Sequence, residues 1–150
     1  MARVEIRFPE VWNFSMEISV RIDDINFGGH LAHDSILTLM HEARARFFRS
    51  LGYGELDIEG RGIIMADAAI VYKSEAFFGD MLRFDLAAVE IGRRGFEIVY
   101  RIMEKESGRE IALGKTGLVM FNYELREPCE IPEMFKAALS SKSIGRDQTS

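Results

Sequence analysis

Asp34-Ser35-Ile36-Leu37-Thr38-Leu39-Met40-His41-Glu42-Ala43-Arg44-Ala45-Arg46-Phe47-Phe48-Arg49-Ser50-Leu51 is the one long stretch of this chain whose apolar residues keep a helical period. Ile36, Met40, Ala43, Phe47 and Leu51 recur at helical spacing, and Leu37 and Leu39 widen the stripe. Asp34 or Ser35 is expected to cap the start, Glu42 to pair with Arg46 one turn on, and Gly52 to stop the helix. A helix apolar over so much of its surface has to be wrapped by something.

The flanking segments supply strands to do so. Upstream, Met16, Ile18, Val20 and Ile22 alternate with Glu17, Ser19 and Arg21, the period of a half-buried strand. That strand runs into Asp23-Asp24-Ile25-Asn26-Phe27-Gly28-Gly29-His30, a stretch rich in turn formers. Downstream, Ile63 to Tyr72 is a nearly continuous apolar run, the pattern of a strand covered on both faces. Phe77-Phe78-Gly79-Asp80 turns the chain, Leu82, Phe84 and Leu86 alternate with Arg83 and Asp85, and Gly92-Arg93-Arg94-Gly95 reads as a hairpin connection. Phe96, Ile98, Tyr100 and Ile102 line one face of the next strand, and Ile111 to Tyr123 forms the last long one. A short helix is expected over Pro132 to Leu139. The expected fold class is α+β: an antiparallel sheet of about five strands wrapped around one long central helix, as a single domain over 1–140 with a disordered tail over 141–150.

Bulk properties narrow the function. A chain of 150 residues carries one core, and 47% hydrophobic with 29% charged residues is ordinary for a soluble globular protein. The net charge of −5, with no long basic block, disfavours nucleic acid. No apolar run approaches the roughly 20 residues of a membrane helix. Met1 to Arg7 lacks the apolar core of a signal peptide. The single cysteine, Cys129, can form neither an internal disulfide nor a paired-cysteine metal site and reads as a packing residue. A cytoplasmic protein with no membrane and no nucleic-acid partner is expected.

Three segments carry a resemblance: Val20-Arg21-Ile22-Asp23-Asp24-Ile25-Asn26-Phe27-Gly28-Gly29-His30 followed by His41-Glu42-Ala43-Arg44 on the helix, Tyr72 to Asp80, and Arg93-Arg94 in the hairpin before Phe96. In their order and spacing, over roughly 15–123, they resemble the 4-hydroxybenzoyl-CoA thioesterase family of hot-dog proteins. The resemblance implies an acyl-CoA thioesterase that hydrolyses an acyl-CoA or acyl-carrier-protein thioester. It also implies a homo-oligomer, dimer or tetramer, with sites at the subunit interface, and no cofactor, CoA being part of the substrate. Two departures stand out. Asn26 occupies the position where many members carry a catalytic Asp, and Glu75 stands where proline is usual. A neutral amide is neither a nucleophile nor a strong base, so the family's simplest mechanism does not transfer unchanged.

Thioester hydrolysis needs a polarised carbonyl and a delivered nucleophile, and thiolate leaves readily. The glycines of Gly28-Gly29-His30 allow close backbone approach, and the N–H groups around Leu31 to Asp34, at the helix start, are the oxyanion candidates. His30 is the leading base, since histidine titrates near working pH, and Asn26 is expected to hold the water. Each also reads as a loop residue bonding to backbone. Asp24 is a further catalytic candidate that equally suits capping the loop. Glu42 offers a helix carboxylate, or a plain ion pair with Arg46. Asp67, inside an apolar run, either faces solvent or a neighbouring subunit, or supplies a partner subunit's site with the carboxylate missing at Asn26. Gly29, His33 and Phe27 are assigned to substrate binding, and Arg93 and Arg94 to CoA phosphates, with Lys73 and Lys115 as weaker choices. His30, His33 and His41 lie close in sequence but follow no metal-ligand pattern, so no metal is expected. A hydratase or dehydratase of acyl thioesters, and a non-catalytic acyl-CoA-binding module, remain as alternatives on the same fold.

Overall fold

The expected strand–helix–strand order folds into nine elements, and the computed structural model describes residues 3–141 together with the backbone of 145–146. They are β1 (Phe14–Ser19), α1 (His33–Ser50), β2 (Gly62–Tyr72), β3 (Met81–Val89), β4 (Gly95–Glu104), β5 (Glu110–Asn122), β6 (Glu127–Pro128), α2 (Glu133–Leu139) and β7 (Gly145–Arg146). One sheet takes all the strands in the order β2-β5-β4-β3-β1-β7, with β6 on β5. The five long strands pair antiparallel, so the α+β architecture has the expected strands around the expected helix. Of the expected tail, residues 142–144 and 147–150 lie outside the described residues, and Gly145–Arg146 pairs parallel with β1.

Burial, rather than surface pairing, holds α1 in place. Ile36, Leu39, Met40, Ala43, Phe47 and Phe48 are buried against Phe84, Leu86, Ile98, Tyr100, Leu118 and Met120 of the sheet. Each large apolar side chain so buried contributes about 1.5–3 kcal/mol, against about 0.5 kcal/mol for a helical ion pair such as the partly buried Glu42–Arg46, which also forms. The close approach depends on Gly114 of β5, where a Cβ would lie 2.6 Å from the Met40 methyl. One polar tie crosses the core. Arg44 reaches Glu55 (Nε–Oε2 3.0 Å) and donates to the Tyr100 hydroxyl (3.1 Å), which in turn meets Thr116 Oγ1 at 2.8 Å.

Three local expectations change. α1 begins at His33 with Ala32 as its N-cap residue and no side-chain cap, so neither Asp34 nor Ser35 caps it. Ile22 leaves the alternation of β1 and stands exposed, because Asp24 Oδ2 accepts the Arg21 N–H at 2.9 Å and turns the chain through one turn of 3-10 helix. β2, whose apolar run suggested cover on both faces, is instead an edge of the sheet in the single chain. Its Ile64 and Met65 are 39% and 48% exposed.

Candidate active site

The chain enters α1 through a loop that turns back on itself. Asn26 N–H donates to the His30 carbonyl at 2.9 Å, and Gly29, with φ +83°, lets the backbone reverse. Asn26 Oδ1 accepts two backbone N–H groups, from Gly28 at 2.9 Å and His30 at 3.3 Å. These two bonds fix the side-chain amide, so its Nδ2 faces His30 Nδ1 at 3.5 Å. Because the amide nitrogen can only donate, the tautomer that fits this contact accepts at Nδ1 and carries its proton on Nε2. Nε2 faces the Glu75 carboxylate at 3.7 Å.

Beside this loop lies a cleft of about 180 Å³, bounded by His30, Leu31, His33 and Ile36 on one wall and by Tyr72 to Ala76 with Ile111 on the other. Backbone bonds hold the walls together. Leu31 N–H donates to the Ala76 carbonyl at 2.7 Å, and Arg109 binds the Glu75 carbonyl at 2.6 Å and Ser74 Oγ at 2.8 Å. The Tyr72 ring stacks on His33 with centroids 4.2 Å apart and donates to the His33 carbonyl at 3.2 Å. Burial, reinforced by the nearby Asp34 carboxylate, raises the Tyr72 phenol above the usual tyrosine range, so it stays a donor.

The helix start is electrostatically open. Of the expected oxyanion donors, Leu31 and Ala32 are engaged, the latter with the Asp24 carbonyl at 2.9 Å. The N–H groups of His33 and Asp34 meet no protein acceptor among the described residues. They sit at the positive end of an eighteen-residue helix, where free amides point outward along the axis.

The other expected site residues separate into those at the cleft and those away from it. His30 and His33 line it, and Asn26 and Gly29 belong to its loop. Asp24 is buried and tied to Arg21, as a loop-bracing carboxylate is. Glu42 pairs with Arg46 roughly two and a half turns further along α1. Phe27 stands fully exposed and does not border the cleft. Asp67 is exposed on the face of β2 opposite the helix and accepts the Gly117 N–H at 3.0 Å. Arg93 and Arg94 lie where Gly95 pairs with Val119, whereas Tyr72 pairs with Ala112, so they stand roughly 20 Å along β5 from the cleft. Arg93 pairs with Glu130 at 2.6 Å. Lys73 borders the cleft, and Lys115 instead pairs with Glu97 at 3.2 Å.

Three polar residues of the cleft were not among the sequence candidates: Tyr72, Ser74 and Glu75. For Glu75 a signal existed, a carboxylate where the resembling family has proline. No group of three histidine, cysteine, aspartate or glutamate side chains is placed to hold a metal among the described residues, and no helix there is long and apolar enough to cross a membrane.

Comparisons with known proteins agree with this architecture. A family model described as the thioesterase-like superfamily matches residues 20–139. No curated protein matches the sequence. Among solved structures, a 1,4-dihydroxy-2-naphthoyl-CoA thioesterase from Synechocystis superposes with a TM-score of 0.78 at 22% identity, over 84% of this chain and 94% of its own. A gentisyl-coenzyme A thioesterase gives 0.75 at 23% identity, over 84% and 99%. A Staphylococcus aureus protein solved in complex with CoA gives 0.79 at 16% identity, over 89% and 86%. At these identities the superpositions establish the shared hot-dog fold.

Proposed function

Since the chain belongs to the thioesterase-like superfamily and is a thioester hydrolase, we propose that it cleaves acyl-CoA in the cleft at the start of α1. The observation that carries the reading is the uncapped helix end beside that cleft. The thioester carbonyl accepts from the free N–H groups of His33 and Asp34, which strengthen their hold as negative charge develops on oxygen. Water attacks from the Asn26–His30 side, where the ordered loop places polar groups against the cleft wall. The C–S bond breaks, the thiolate departs, and the acid and CoA are released. Tyr72 holds the His33 backbone, and so the donors, in position.

A second copy completes the reading. Among the described residues β2 has a pairing strand on one side alone and exposes Ile64 and Met65, so two β2 strands pair antiparallel across a two-fold axis. That pairing reverses the neighbouring subunit, bringing its Arg93–Arg94 end to the side of this chain's cleft, where two guanidinium groups suit the CoA phosphates. The reading places the protein in the cytoplasm, where a lone free cysteine fits a reducing compartment.

Free-thiol release from a panel of aliphatic and aromatic acyl-CoA and acyl-carrier-protein thioesters tests the activity. Steady release of CoA supports it. Addition of water to an enoyl-CoA, or tight binding of the panel without turnover, would replace it with the hydratase or the binding module. Sedimentation should show a dimer or larger assembly, and an active monomer removes the paired-sheet part.

A further inference from the structure

We propose that Glu75 is the general base that activates the hydrolytic water, with His30 as the residue that positions it. The inference rests on the hydrolase reading above and assigns the proton transfer that reading leaves open.

Glu75 is the one carboxylate among the residues bordering the cleft, within the described part of the chain. The remaining candidate carboxylates are committed elsewhere: Asp24 to the Arg21 backbone, Glu42 to Arg46, Asp67 to the Gly117 N–H. The histidine is committed too. His30 takes a hydrogen bond from Asn26 at Nδ1 and so carries its proton on Nε2, the nitrogen that faces Glu75. In this state the imidazole donates toward the cleft and has no free lone pair to accept a proton from water. The carboxylate beside it does.

The placement of Glu75 is built into the backbone. Arg109 grips the Glu75 carbonyl at 2.6 Å, and the next residue accepts from Leu31 N–H at 2.7 Å. The side chain rises from this braced segment, 62% exposed and with Oε1 3.7 Å from His30 Nε2. His30 therefore biases one carboxylate oxygen toward itself and leaves the other for water. His33, the first residue of the open helix end, lines the wall across from Glu75, so base and oxyanion donor flank the space where a carbonyl carbon would sit.

The step balances without a co-reactant. The water oxygen bonds to the carbonyl carbon as its proton passes to Glu75. The carbonyl electron pair moves onto oxygen, held by the His33 and Asp34 amides. When the carbonyl re-forms, the C–S bond breaks with its electrons on sulfur, and the proton on Glu75 passes to the departing thiolate.

The test compares Glu75→Gln, Glu75→Asp and Glu75→Ala with the full-length protein on its best panel substrate. Glu75→Gln should lower kcat by roughly 100-fold, the scale of a lost general base, with KM within about threefold and unchanged melting. Hydroxylamine attacks thioesters without needing a base, so the deficit should shrink to less than about tenfold when hydroxylamine replaces water as acceptor. Formate should restore part of the water reaction in Glu75→Ala but not in Glu75→Gln, where the amide fills the space. Full water-dependent turnover by a folded Glu75→Gln protein overturns the assignment while leaving the hydrolase intact. A deficit equal for water and hydroxylamine also overturns it, because it marks a structural role. A wild-type protein that releases no CoA from any panel member sinks the hydrolase reading, and this assignment with it.

Discussion

Asp67 Oδ1 accepts the N–H of Gly117 at 3.0 Å, beside the register shift between Met65 and Asp67 where β2 bulges against β5. The bulge interrupts the ladder, and the carboxylate takes over a backbone donor there. Gly117 permits this because it has no side chain to fill the space above its Cα. Asp67 thus serves the sheet edge. Asp67→Ala should lower stability by about 1 kcal/mol, the worth of a partly solvated charge-assisted bond, with kcat within twofold. Asp67→Asn, whose amide oxygen still accepts, should be closer to neutral. Urea denaturation and kcat decide the matter. A tenfold fall in kcat at unchanged stability would move Asp67 back into the site.

At the loop, Asn26 and His30 act as a unit, because the Asn26 oxygen organises the backbone while its nitrogen sets the ring. Asn26→Ala and His30→Ala should each reduce turnover roughly 100-fold, and the double variant should fall little further, as residues sharing one function do. Steady-state kinetics with melting curves is the check. Strictly multiplicative losses would mean that the two side chains work separately.

The core tie through Arg44 has a stability signature. Arg44 is 7% exposed, and its removal takes one partner each from Glu55, which keeps His41 at 2.8 Å, and from the Tyr100 hydroxyl, which keeps Thr116 at 2.8 Å. Arg44→Ala is expected to cost about 2–3 kcal/mol, and Tyr100→Phe about 1–2 kcal/mol. Burial raises the Tyr100 phenol above its ordinary value, with Arg44 opposing in part. The folded state therefore keeps a proton that the unfolded chain releases near pH 10, so stability falls as pH rises above about 10. Tyr100→Phe should flatten that alkaline limb in urea titrations across pH 8–11.

Gly114 sets how closely α1 approaches the sheet. Its substitution by alanine pushes a Cβ to 2.6 Å from the Met40 methyl and 2.9 Å from its sulfur. Methionine yields more easily than backbone, so Gly114→Ala should cost about 1–2 kcal/mol. Met40→Ala opens the space, and the double variant should be more stable than the sum of single losses predicts. A double-mutant cycle that is additive would show that the two positions do not touch.

Local chemistry along the chain was enough to reveal the architecture. The 3.6-residue stripe through Ile36, Met40 and Phe47, the alternation of Leu82, Phe84 and Leu86, and the turns at Gly79 and Gly92 are each written in neighbouring residues, and each became the expected element. The loop carrying Asn26 and His30 was legible for the same reason. Folding alone could place Glu75 against His30, engage Leu31 and Ala32 while leaving His33 and Asp34 free, turn Asp67 away from the helix, and leave β2 at the sheet edge. Those outcomes depend on which distant segments pack together and on how a strand register falls. Period and propensity report the environment of a residue's own segment, and they say nothing of what another segment brings across the gap.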